Sequence, residues 1–106
     1  MREFEEWIKK AIKEMSERTL SMVDTSVESL KNHDAEMAKP LSETENKVDN
    51  IYSKYLNRLV KKAPAASRYA ISSVLVVRYL ERIADHATYI GESIVYVATG
   101  EKVTLR

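Results

Sequence analysis

The run Val76-Val77-Arg78-Tyr79-Leu80-Glu81-Arg82-Ile83-Ala84-Asp85-His86-Ala87-Thr88-Tyr89-Ile90-Gly91-Glu92-Ser93-Ile94-Val95-Tyr96-Val97 decides the fold. Within it Val76, Leu80, Ile83, Ala87, Ile90, Ile94 and Val97 recur in alternating steps of four and three. Only a helix gathers residues so spaced into one stripe, and such a seam suits packing against neighbouring antiparallel helices. Taken alone, Ser93 to Thr99 is rich enough in Val, Ile and Tyr to be read as a strand. The seam runs through it unbroken, so helix is the better reading.

Working outward, two prolines divide the chain. Pro40 and Pro64 lack an N–H and clash with a preceding helical turn, so each marks a helix boundary. Ser42 followed by Glu45 has the spacing of a capping box, Pro64 suits the first turn of a helix, and Gly100 suits a helix stop. The first helix is expected over about residues 3–32, with Ile8, Ile12, Met15, Thr19, Met22, Val23, Val27 and Leu30 as its stripe. The second is expected over 42–62, striped by Val48, Ile51, Tyr55 and Leu59, and the third over 65–99. With two glycines and two prolines in 106 residues, few positions remain for turns. The expected fold is all-α: one domain, residues 1–106, forming an antiparallel up-down-up three-helix bundle. Beside the third helix's seam, Val77, Ala84, Gly91, Val95 and Ala98 form a second apolar strip. Either the first helix covers it or it serves a two-fold homodimer.

Composition removes several function classes. The net charge of +1 gives no general case for nucleic-acid or anionic-membrane binding. Residues 33–50 hold five acids and two bases, and 51–82 seven bases and one acid, which reads as differently solvated faces. Cysteine is absent, so disulfides, thiolate chemistry and zinc-finger ligation are excluded. No apolar run reaches the roughly 18 residues of a membrane span, and Arg2, Glu3, Glu5 and Glu6 are unlike a signal peptide. A soluble, cytoplasmic protein without membrane insertion is expected.

On a helical wheel Glu81, Asp85 and Glu92 fall within about 40° of one another, opposite the seam. Glu81 and Asp85 are like charges one turn apart, which repel in an isolated helix and offer half a site to an oxygen-seeking cation. Glu45 and Asp49 repeat the spacing at the edge of the second helix's stripe, so four carboxylates could meet across a groove. The alternative is a solvated polar face. Asp24 or Glu28 could add a ligand from the first helix. His86 points toward the flank of the core and reads as a hydrogen-bonded packing residue, while His33 reads as solvated. Phe4 and Trp7 read as end-of-bundle packing or dimer contacts. No phosphate loop, nucleophile elbow, H-E-x-x-H or Glu-x-x-His di-iron motif is present, so the residues give no case for an enzyme.

The segment from Arg78 to Ser93, its continuation to Glu101, the Glu45-Asn46-Lys47-Val48-Asp49 motif and the connector His33 to Ala38 resemble the PhoU family. The resemblance implies a three-helix repeat, of which family members usually carry two. It implies a cytoplasmic, non-enzymatic signalling regulator of phosphate uptake. Its partners would be the ATPase subunit of a phosphate transporter, a sensor histidine kinase, or both. It also implies surface iron or zinc, with manganese an alternative and no organic cofactor, on Glu45, Asp49, Glu81 and Asp85. A metal-binding bundle, or a regulatory module of a membrane transporter, is the alternative. Ala84 stands where the family often has Gly, and Tyr89 where it often has Asn.

Overall fold

The computed structural model describes residues 2–62 and 68–105. Three long helices form the body: α1 (Arg2–Lys31), α3 (Leu41–Lys62) and α4 (Arg68–Thr99), with a one-turn helix α2 (Ala35–Ala38) between the first two. Among the described residues there is no strand, and Ser93 to Thr99 is the last part of α4. Tyr55 on α3 bonds Ser73 on α4, while Glu45, ten residues earlier, meets Asp85, twelve later, so the two run antiparallel. Leu30 at the end of α1 borders the same groove as Ile90 and Ile94 near the end of α4, so those two run parallel. The arrangement is up-down-up as expected, 51 Å long and 19 by 17 Å across.

The turn after α1 is built from chain chemistry. His33 takes a positive φ of 53°. Its N–H donates to the Leu30 carbonyl (3.2 Å) and that of Asp34 to the Ser29 carbonyl (2.9 Å), satisfying carbonyls the helix end leaves open. Asp34 then caps α2, its Oδ1 accepting from the Met37 N–H at 3.1 Å. The capping box expected at Ser42 does not form. Helix α3 already begins at Leu41, the Ser42 hydroxyl donates to the Lys39 carbonyl, and Glu45 is turned into the bundle. The first-turn role expected of Pro64 lies outside the described residues. Gly100 ends α4 with φ 75°, its N–H donating to the Tyr96 carbonyl at 2.7 Å.

Ile8, Met15 and Met22 of α1 meet Val48 and Tyr55 of α3 and Val77 of α4 in the core. The α4 seam is only partly buried, which corrects the expectation. Ala87 and Ile94 are inside, but Val76 (42% exposed), Ile83 (46%), Ile90 and Val97 are outside. The neighbouring strip is the buried one, with Val77 at 0% and Ala84 at 1%. The reason is close approach. Small residues are buried on both α1 and α4, which pack closely on each other: Ser26 and Ser29 of α1, Ala84, Ala87 and Thr88 of α4. Gly91 lies close to α3 and the tail instead, since a Cβ there would lie 2.8 Å from Leu41 Cδ1 and 3.0 Å from Leu105 Cδ1. The tail returns to make this contact, Leu105 donating its N–H to Glu92 Oε2 at 2.8 Å.

Candidate functional site

The carboxylates singled out in the sequence converge where α3 crosses α4. Leu41, Glu45, Val48, Tyr55 and Leu59 are all buried on α3, so Glu45 occupies a core position and not merely the edge of the stripe. It is 2% exposed, and its Oε2 accepts no hydrogen bond among the described residues. Glu81 and Asp85, one turn apart on α4, bring one carboxylate oxygen each to within 4.8 Å of one another and of Glu45. Asp49 lies beside this trio, close enough for its carboxyl to share a proton with Glu45.

Among the described residues no Lys or Arg comes within 4.0 Å of these four acids. Burial of an ionised carboxylate is costly and like charges compound the cost, so such groups hold protons at unusually high pH. Burial first, then the Asp85 and Asp49 carboxyls, pushes Glu45 from the ordinary 4.5 up to about 8. Asp49 is raised by burial and then by the charge of Asp85, against a hydrogen bond to Glu45 that lowers it. Glu81 is raised by burial and by Asp85, with slight relief from Arg78. A cluster of this kind either takes up protons or takes up a cation. Converging oxygens and an orphaned buried acceptor fit a hard cation, and no imidazole or thiolate competes for it.

The remaining candidates fall elsewhere. Glu92 does not join the cluster, because its carboxylate receives the Leu105 N–H. Asp24 and Glu28 are exposed, and Glu28 pairs with Lys31 at 3.8 Å, so α1 offers neither as a ligand. His86 is exposed with Nδ1 2.8 Å from the Arg82 carbonyl and its ring edge on Tyr89, away from the carboxylates. Phe4 and Trp7 do pack at the bundle end, Trp7 stacking on Tyr55.

Residues 12–94, most of the bundle, match the PhoU domain family. The chain belongs to the PhoU family. It is 28% identical over 101 residues to a "Phosphate-specific transport system accessory protein PhoU homolog" of Clostridium acetobutylicum, covering 92% of this chain and 46% of that protein. It is 28% identical over 98 residues to homolog 1 of Thermotoga maritima (89% and 42%), and 27% over 95 to the Pseudomonas aeruginosa homolog (87% and 39%). The chain thus spans less than half the length of these PhoU relatives. No solved structure matches it significantly. No helix among the described residues is long and apolar enough to cross a membrane.

Proposed function

We propose that this PhoU chain regulates phosphate uptake from the cytoplasm through protein contacts and without catalysing a reaction. The observation that carries this reading is the PhoU match along most of the chain, to relatives named as accessory proteins of phosphate-specific transport. The contacts would be with the ATPase subunit of a phosphate transporter, a sensor histidine kinase, or both. Glu45, Asp49, Glu81 and Asp85 would hold the cation. An all-oxygen donor set favours iron or manganese over zinc, which prefers nitrogen and sulfur. Bound there, the ion would replace carboxylate repulsion by attraction and tie α3 to α4.

A homodimer belongs to the same proposal. The outward side of the α1–α4 pair carries Leu20, Val27 and Leu30 from one helix and Val76, Ile83 and Ile90 from the other, all substantially exposed. A second copy turned about a two-fold axis would cover this face with the same face. This face replaces the small-residue strip of α4, which the bundle itself buries.

The test is deletion in the source organism with phosphate uptake measured in phosphate-replete medium, alongside capture of the transporter ATPase subunit and sensor kinase by the tagged chain in replete and starved cells. Unrestrained uptake in the deletion strain and phosphate-dependent capture are expected. Unchanged uptake with no capture of either partner would overturn the reading.

A further inference from the structure

At the bundle end opposite the α1–α2 turn, a trough of about 430 Å³ runs between α1 and α3. Its floor is aromatic and held in place. Trp7 stacks on Tyr55 with centroids 4.9 Å apart and planes 17° apart, and Phe4 leans on Trp7 at 5.6 Å. Tyr55 is buried and its hydroxyl bonds Ser73 of α4, so all three long helices fix the floor. The walls are mainly cationic, with Glu14 the one acid among them. Lys10 stands on α1, Lys54 and Arg58 on α3, and the surface continues past Lys13 on one side and Lys61 on the other.

These cations have no anionic partner within 4.0 Å among the described residues, and the acids that line the trough and its margin pair elsewhere: Glu14 with Arg18 at 3.5 Å and Glu6 with Lys9 at 3.6 Å. The trough therefore presents an excess of positive charge, carried mainly by Lys54, Arg58 and Lys61 of α3, on a chain whose net charge is only +1. Arg58 is the most organised of them. Its guanidinium lies 4.5 Å over the Trp7 ring, which holds the plane by cation–π attraction and leaves its N–H edge for an incoming carboxylate. A fork held in this way loses little freedom when it binds.

We infer that this trough is a docking surface for an acidic segment of a partner protein, one carrying several carboxylates around an apolar side chain that rests on Ile51 and Ala11 beside the edge of Trp7. The shape favours this occupant. The cations spread over about 10 Å along α3, from Lys54 to Lys61, and face Lys10 and Lys13 across the trough on α1, a wider array than one small anion can span. The rings lie face-down in a concavity under Arg58, not protruding as insertion into a lipid surface requires. The inference rests on the proposed action through protein contacts, and it names the surface and the chemistry of the partner.

Trp7 is the only tryptophan, so its emission reports on the trough. The purified chain is titrated with a Trp-free peptide of glutamates interrupted by leucines, with its lysine counterpart, with inorganic phosphate and with phosphatidylglycerol vesicles. The acidic peptide is expected to shift the emission saturably, more weakly as salt rises, and the lysine peptide not at all. Lys10→Glu with Lys54→Glu, both exposed and therefore compatible with folding, should weaken binding about tenfold or more. Arg58→Lys should fall between, keeping charge but losing the fork. No saturable shift, binding indifferent to the charge reversal, or tighter response to phosphate or vesicles than to the acidic peptide would overturn the inference. Failure here with uptake still unrestrained in the deletion strain leaves the regulator reading standing. Peptide binding without that phenotype does the reverse.

Discussion

Glu45→Gln is the sharpest probe of the carboxylate cluster. In the folded, metal-free chain Glu45 gives up its proton near pH 8, against 4.5 ordinarily. Between those values the folded state holds a proton that the unfolded state has released, so stability must fall as pH rises. The fall is about 1.36 kcal/mol per pH unit while the difference lasts. Across the interval from 4.5 to about 8 it sums to at most ~5 kcal/mol, a cost that belongs to the coupled carboxyls together and not to Glu45 alone. Glutamine has the same shape, no charge to bury, and an amide that can donate to Asp85 or Asp49. The variant should therefore match wild type near pH 4.5, lose less on going to pH 8, and be the more stable protein there by up to ~5 kcal/mol. It keeps a shallower slope, because Asp49 and Glu81 are raised as well. Urea midpoints measured in chelator across this range test it. Added iron or manganese should then restore wild type at pH 8 and leave the variant little changed, since binding to the folded state stabilises by mass action. Equal pH slopes in the two proteins would refute the reasoning, and equal metal response would refute the site.

Asp85→Asn should leave the bundle folded and abolish most of the rise in melting temperature that iron, manganese or zinc gives wild type; melting curves with and without each metal decide it. Gly91→Val should cost about 1–3 kcal/mol, read from urea midpoints, because its side chain must displace Leu41 and Leu105. Val76→Ser with Ile83→Ser, both on the outward face of α4, should turn a dimer into a folded monomer in sedimentation at tens of micromolar. A wild type already monomeric at that concentration would remove the dimer.

How far the sequence could be read follows from which forces it records. Periodicity records the helix, so three long helices and their ends near Pro40 and Gly100 were legible, as was the meeting of two Glu-x-x-x-Asp pairs once α3 and α4 were antiparallel. It does not record which of two adjacent apolar strips turns inward. On α4 the larger residues Val76, Ile83 and Ile90 form the more obvious stripe, yet Val77, Ala84 and Gly91 are buried, because small side chains let α1 and the Leu41–Leu105 contact come close. On α3 the buried stripe extends back past Val48 to Leu41, so Glu45 lies within it and not at its edge. It occupies a core position between Leu41 and Val48, where sequence patterning expects an apolar residue and supplies an acid.

That placement argues for function more strongly than the spacing did. A solvated acidic face costs almost nothing, so the sequence could not separate it from a site. A carboxylate 2% exposed, with an oxygen that accepts no bond among the described residues and two further acids within 4.8 Å, carries an uncompensated cost in the metal-free fold. Substituting leucine or glutamine at 45 would remove that cost, so stability alone does not account for an acid there. No lysine or arginine of the described chain reaches the cluster, so the compensation comes from solution, as a proton or, in the function proposed above, as a cation. With a cation bound as proposed, the α3–α4 contact would depend on what the cluster holds, a property that suits the proposed regulatory role.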